Sequence, residues 1–356
     1  MAVLSPPQSA ARHGGRPQRP PRRLGFSRRL SRWDVKLSPY LYISPFFVIF
    51  AITGLVPLLY TAYVSLYDWS LLGGQGDFVG LANFTTVLGE ENFWKSLVNT
   101  FSIFVLSSVP QVILAITIAA LLDQNLRAAT FWRMGVLVPY VVAPVAVSMI
   151  FGRMFADQYG LINTMLGSLG IDPIAWHSDR LASHVAIATM VNFRWVGYNA
   201  LIFLAAMQAV PRELYEAAVL DGAGRFRQFF SVTVPQIRAT IIFVVITSTI
   251  GGLQIFDEVR MFDSDGLGGP NRDWMTTVVY LYDIAWGNQG SLGKASAVAW
   301  LLFLIIVCIG FVNFVVTRRI STSDGHKTKL DRRERRAALA RAKAAGARTN
   351  TSGVNR

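Results

Sequence analysis

The chain has little of what enzymes and metalloproteins build their sites from. Of its 356 residues one is a cysteine, Cys308, and four are histidines, at positions 13, 177, 184 and 326. A single cysteine inside an apolar run excludes a disulfide framework and a cysteine-based metal site. The scattered histidines show no metal-ligand spacing, so neither a catalytic residue nor a metal ligand is assigned. Charge is scarce as well: 15% of residues are charged and 52% hydrophobic, with a positive mean hydropathy. A soluble globular chain carries about 25% charged residues, so this composition points to a membrane protein.

What charge there is gathers at the ends. Residues 1–39 hold nine Lys/Arg and one acid, and residues 317–356 hold twelve and three, so the tails sum to +17 in a chain of net charge +13. No aromatic-interleaved platform accompanies these bases, and nucleic acid is not an expected partner. Basic tails that flank apolar segments set orientation and meet anionic membrane lipid. The Pro-, Gly- and Arg-rich first tail cannot bury an apolar core and is expected to be disordered. The Ala/Arg-rich stretch 331–345 has the composition of a helix lying on headgroups.

Between the tails lie six charge-poor runs, at about 40–66, 98–122, 134–155, 182–208, 239–256 and 295–316. Crossing a hydrocarbon core of about 30 Å takes roughly 20 helical residues, and the fifth run is the shortest. Prolines inside these runs do not veto helix, because bundle neighbours can satisfy the backbone groups they free. The first run is too long, and too far behind its basic leader, for a cleaved signal peptide. With both tails cytoplasmic, loops 67–97, 156–181 and 257–294 fall outside and hold 13 acids and five bases. The inner loops, 123–133 and 209–238, hold six arginines against four acids, in agreement with the positive-inside rule. The expected architecture is an all-α polytopic membrane protein of six transmembrane helices. It comprises a basic tail 1–39, a six-span domain 40–320 and a basic tail 321–356.

The inner loop 209–238 is unlike a lipid-facing segment. Pro211 suits a helix start, where its missing N–H costs nothing, and Glu213 and Glu216 then fall near the positive end of the helix. Ala217 and Ala218 keep one surface shallow. Gly222, after Asp221, can take positive φ and reverse the chain. A second helix at about 224–231 then presents Phe226, Phe229 and Phe230, and Pro235 closes the unit. On physics alone an amphipathic hairpin on the inner leaflet stays open as the lesser alternative.

The series Glu216-Ala217-Ala218, Asp221-Gly222-Ala223 and Val232-x-Val234-Pro235 resembles the coupling loop of ATP-binding-cassette importer permeases. The likeness covers about 40–320 and is nearest to sugar permeases of the carbohydrate-uptake class, similar to the larger permease of maltose-like importers. Supporting stretches are Phe78-Val79-Gly80-Leu81-Ala82-Asn83-Phe84, Gly160-Leu161-Ile162-Asn163, Phe256-Asp257-Glu258-Val259, Gly268-Gly269-Pro270 and Leu292-Gly293-Lys294. Val232 and Val234 stand where Ile and Leu are commoner. The resemblance implies a type I importer bundle in the plasma membrane of a prokaryote. It also implies an ATPase-coupling helix-turn-helix built from Glu213, Glu216, Ala217, Ala218, Asp221, Gly222, Ala223 and Pro235. The implied partners are a second homologous permease, two ATP-binding subunits that hold ATP and magnesium, and an extracellular solute-binding protein. The chain itself is expected to bind no cofactor. Its nearest phosphate-loop lookalike, Gly290-Ser291-Leu292-Gly293-Lys294-Ala295, has the wrong glycine spacing and lacks the Ser or Thr that would bind magnesium.

A sugar path needs flat apolar faces and fixed hydrogen-bonding groups, which are costly in a span unless they face a cavity. Asn192, Trp195 and Asn199 fall within about 60° of one helical face, and Trp195-Val196-Gly197 resembles a Trp-x-Gly of the family's substrate-lining helix. Amides also bridge packed membrane helices, so that reading stays open. Gln254 and Asp257 form a second candidate face, and Ser148 is a weaker one. Arg194, roughly 100° from Trp195, needs a carboxylate that the sequence does not name; sugar contact and internal pairing are both open. The substrate is expected to be a di- or oligosaccharide. The competing class is a secondary transporter or other polytopic protein whose inner loop is only an amphipathic surface helix.

Overall fold

A computed structural model describes residues 25–124 and 126–315. The surface helix expected at 331–345 and the first 24 residues lie outside them. The chain divides into two compact units, residues 1–60 and 61–356. In the first, helix α1 (Gly25–Phe50) runs into a π-helical turn, Ala51–Leu55, and then α2 (Val56–Val64). α1 begins inside the stretch expected to be a disordered tail. Together Ser38–Val64 makes a 27-residue apolar helix none of whose most apolar window is buried. A helix that is hydrophobic all round, with Phe47, Ile49 and Ile52 exposed, suits lipid or another chain rather than water.

The all-helical expectation needs one amendment. Strands β1 (Tyr67–Ser70) and β2 (Gly74–Phe78) pair antiparallel, with Tyr67 opposite Phe78 and Ser70 opposite Gly74, whose φ is +72°. Asn83, in α3 (Ala82–Gly89), ties this hairpin down: its Nδ2 donates to Ser65 O and Tyr67 O, both at 2.9 Å. Gly293 permits the last helix to approach, since a Cβ there would stand 2.3 Å from Tyr67 O. The Gly290–Ala295 stretch is thus the seat of the hairpin, with Leu71 N bonded to Gly290 O at 2.7 Å.

The long helix α4 (Glu91–Leu122) follows. The expected third span is two helices, α5 (Ala129–Val141) and α6 (Pro144–Met154), bent by 87°. Pro144 explains the break: it starts a helix well but biases Ala143 out of helical geometry. After α7 (Leu161–Ser168) comes α8 (Arg180–Gln208), capped by Asp179, whose carboxylate accepts from Ala182 N at 2.7 Å. Asn163 of α7 is a second knot, bonded to Asp157 O, Ile174 N and O, and Trp176 Nε1.

The inner loop forms α9 (Arg212–Leu220) and α10 (Arg225–Gln228), a π-helical turn Phe229–Thr233, and α11 (Val234–Gln236). The second helix was expected to run unbroken; the wide turn instead precedes Pro235, which has no N–H to donate to the preceding turn. α12 (Arg238–Gly252) stops short of the expected end, and α13 (Asp257–Arg260) resumes after a break. α14 (Thr277–Trp286), in a segment read as a loop, precedes α15 (Leu292–Val315).

Among the described residues four helices are long and apolar enough to cross a membrane, or five if the bent pair counts as one. α8 is not among them, because Asn192, Arg194 and Asn199 lower its hydropathy. It is instead the most enclosed of the long helices, with Ala186, Ile187, Met190, Ala200 and Phe203 fully buried. Two apolar clusters hold the unit. One centres on Phe93, Ile103, Ile187, Met275 and Tyr280; the other on Ala115, Ala119, Phe203, Met207 and Val244.

Candidate functional site

Between these clusters lies a cavity of about 480 Å³. α8 supplies one wall through Val191, Arg194, Trp195, Tyr198, Asn199 and Ile202, a stripe at the three- and four-residue spacing of one helical face. Ser108 and Gln111 of α4 and Tyr140 of α5 line a second wall. The third is the break between α12 and α13, where Gly251, Gly252 and Gln254 meet Phe256, Asp257 and Glu258.

Local physics makes each wall. α8 can approach α5 closely only because residue 197 is glycine: a Cβ there would stand 1.8 Å from Val136 O. That close crossing brings Tyr140 against Tyr198 in a stack (4.7 Å between centroids, 16° between planes), with Trp195 edge-on to Tyr140 at 5.3 Å. The helix break frees backbone groups, and Thr276 Oγ1 answers one by donating to Ile255 O at 2.9 Å. Gly252 admits α4, since a Cβ would meet the Phe104 ring at 2.7 Å.

The polar groups of the cavity are held. Asn199 Nδ2 donates to Gln111 Oε1 at 3.2 Å and faces Ser248 Oγ at 3.4 Å. Arg194 has the partner that sequence left unnamed: its Nη1 donates to Glu258 Oε1 at 2.7 Å, both side chains buried. Of the five residues expected to line a substrate path, Trp195, Asn199, Gln254 and Asp257 share this cavity; Asn192 lies off it, with a buried Oδ1 that has no partner. Ser148, the weaker candidate, is buried and bonds back to Pro144 O at 2.9 Å. Tyr140, Tyr198, Gln111 and Glu258 were not singled out. Arg194 was the usable signal, because a guanidinium in an apolar run demands an acid.

The inner loop is organised around Gly222. With Asp221 closing α9, Gly222 N bonds to Val219 O and Ala223 N to Ala218 O, both at 2.9 Å. These two bonds and a Gly222 φ of +75° make a Schellman motif, which needs a left-handed residue at that position. Tyr215 hydroxyl meets Thr233 Oγ1 at 3.0 Å and joins the two arms. Glu213, Glu216, Ala217, Asp221, Gly222 and Pro235 are exposed, and Ala218 and Ala223 half-buried. Beside them Leu220 and Phe226 are 88% and 84% exposed. Burial lifts the Asp123 carboxyl above its ordinary value, opposed by Arg133 and then by Arg212 at the start of α9.

The opposite end is tied across sequence. Asn99 Nδ2 donates to Arg272 O and Met275 O, while its Oδ1 accepts from Arg180 at 2.8 Å. Gly268 and Gly269, at φ +88° and +87°, lie against Met275 and the Trp274 ring. Lys95 pairs with Asp273 at 2.9 Å. Burial, and then the Glu90 carboxylate to which its hydroxyl donates, push the Tyr280 phenol above its ordinary value. Among the described residues no three His, Cys, Asp or Glu cluster as a metal would require.

Residues 82–322 match the family described as the binding-protein-dependent transport system inner membrane component. The chain is 33% identical over 285 residues to the lactose transport system permease protein of Rhizobium radiobacter, covering 78% of this chain and 93% of that one. It is 30% identical over 290 residues to the trehalose/maltose permease protein of Thermococcus litoralis (82% and 96% covered). The diacetylchitobiose uptake permease of Streptomyces coelicolor is 30% identical over 336 residues, 91% of each chain. A solved chain of a bacterial alginate ABC transporter, in complex with a periplasmic protein carrying alginate pentasaccharide, shares the fold. That match has a TM-score of 0.68 at 18% identity and covers 82% of this chain and 97% of that one. These matches establish what the chain is: it belongs to the inner membrane components of binding-protein-dependent transport systems, as a multi-pass permease subunit of a sugar ABC transporter and not an enzyme.

Proposed function

We propose that this chain forms one half of the sugar path of an ATP-driven importer and receives its driving force at α9 and α10. The continuity of α8 carries this reading. The helix that lines the cavity with Trp195, Tyr198 and Asn199 ends at Gln208, and α9 starts at Arg212. Its inner end is set in a core of Phe203, Met207 and Val210, against which Tyr215 and Phe229 of the loop pack. Motion of the loop therefore reaches the cavity through one rigid helix of about 43 Å, and the bundle rocks between inward- and outward-open arrangements.

In this reading six spans cross the membrane: Ser38–Val64, α4, the bent pair α5–α6, α8, the broken Arg238–Arg260 segment, and α15. α8 qualifies despite its polar residues because they face a cavity rather than lipid. Charge asymmetry of the loops supports a cytoplasmic position for both termini and the α9–α10 unit. Exposed Glu216, flanked by Leu220 and Phe226, docks on a separate ATP-binding subunit; two such subunits hold ATP and magnesium. A second homologous permease completes the path, and an extracellular solute-binding protein delivers sugar to the acidic, aromatic outer face. The names of the relatives (lactose, trehalose/maltose, diacetylchitobiose) favour a disaccharide or short oligosaccharide. Glu216→Lys tests the coupling: uptake and co-purification of the ATP-binding subunit should both be lost, with the amount of permease in the membrane unchanged. Undiminished uptake in that variant would overturn the assignment.

A further inference from the structure

The charged groups on the cavity wall are Arg194, Asp257 and Glu258. Two of them cancel. Arg194 and Glu258 are 9% and 5% exposed and share a 2.7 Å hydrogen-bonded ion pair. Among the described residues the guanidinium makes no second ion pair, and its Nε is buried without a partner. No described side chain pairs with the Asp257 carboxylate, which is half-buried at the break between α12 and α13. The cavity wall of this subunit therefore holds one uncompensated negative charge beside neutral amides, hydroxyls and the Tyr140–Tyr198 ring stack.

We propose that Asp257 makes this cavity selective for uncharged saccharides and against those that carry a carboxylate, phosphate or sulfonate. This rests on the reading of the cavity as a sugar path. The neutral groups suit a pyranose: rings for its apolar C–H face, and Gln111, Asn199 and Gln254 as donors and acceptors for hydroxyls. An anionic sugar finds no free cation here, because the one arginine is already held by Glu258. It meets the Asp257 carboxylate in a partly enclosed site, where like-charge repulsion is far less screened than in water. Repulsion of this kind discriminates by penalising the wrong ligand. Asp257 also accepts hydrogen bonds from a neutral sugar without needing a proton.

The test uses the complete transporter in lipid nanodiscs without its solute-binding protein, so that the partner's selectivity plays no part. Lactose, trehalose, cellobiose and diacetylchitobiose are compared by saturation-transfer NMR, and the strongest binder is then matched with its 6′-carboxylate. The neutral sugar should bind at least about tenfold more tightly than its carboxylate, the scale set by like charges at reduced dielectric. In Asp257→Asn the gap should close to within about threefold, because removing the charge relieves the carboxylate sugar of a repulsion that the neutral sugar never met. Asp257→Ser gives the same readout if the Asn variant fails to assemble. A carboxylate that binds the parent as tightly as the neutral sugar overturns the proposal, as does discrimination that persists in both variants. Binding of none of the sugars would instead overturn the sugar-path reading itself.

Discussion

Removing either partner of the Arg194–Glu258 pair should destabilise the subunit far more than removing both. The two atoms stand 2.7 Å apart with the residues 9% and 5% exposed. At an effective dielectric of about 20 the attraction at that separation is roughly 6 kcal/mol, but desolvating both groups consumes most of it. Replacing both with apolar side chains of similar volume, as in Arg194→Met/Glu258→Leu, should therefore cost at most about 2 kcal/mol. Each single change leaves a bare buried charge and should cost about 3–5 kcal/mol. The two single losses should therefore exceed the double loss by at least about 4 kcal/mol. The assay is thermal unfolding of the assembled transporter in nanodiscs, read by tryptophan fluorescence. At about 2–4 °C per kcal/mol for a domain of this size, each single variant should lose on the order of 10 °C and the double variant only a few. Single losses that simply add in the double variant would refute the pairing.

Three further outcomes follow from the geometry. Gly197→Ala places a Cβ 1.8 Å from Val136 O and must drive α8 away from α5; overpacking of this kind costs about 1–3 kcal/mol or more, so melting temperature and uptake should both fall, whereas an unchanged melt would contradict the close crossing. Gly222→Ala meets no atom within 4 Å but must hold φ near +75°, at a cost of about 1–2 kcal/mol; uptake should drop and recover in part in Gly222→Asn, which tolerates the left-handed region. Tyr280 has its pKa raised in the fold, so the unfolded chain loses its proton first, at about pH 10; the contribution is fully present below that pH and fades as pH climbs through and above it. Tyr280→Phe should flatten that alkaline loss in a stability-against-pH series.

The inner loop was the most legible part of the chain, because its information is local. A proline start, paired glutamates, two alanines and an Asp-Gly corner specify α9 and its Schellman turn within one contiguous stretch. The apolar runs were legible for the same reason, yet their ends were not. The break at residues 253–256 depends on a neighbour far along the chain, Thr276, which answers a freed carbonyl. The 87° bend at Pro144 was passed over because a proline inside an apolar run does not by itself rule out a continuous span. The hairpin was missed because Gly74–Phe78 has neither alternation nor β-branched residues; Asn83 and Gly293 hold it from afar.

The cavity was only half legible. Helical spacing chose Asn192, Trp195 and Asn199, whereas the lining stripe of α8 begins at Val191 and runs through Arg194 and Trp195 together. A cavity wall covers about 100° of a helix, so two residues at that angular separation can share it. Glu258 lies 64 residues from Arg194. Only the packing of α13 against α8 brings the two together, and no local pattern encodes that.

In the proposed function a separate ATPase, acting on α9 and α10, drives transport through this cavity. The most direct measurement is uptake of a labelled neutral disaccharide into proteoliposomes that hold the complete transporter and its solute-binding protein, with ATP either enclosed or omitted. The account predicts accumulation only with ATP, and none when Glu216→Lys replaces the parent chain. Equal uptake without ATP, driven by an imposed ion gradient and indifferent to Glu216, would contradict it.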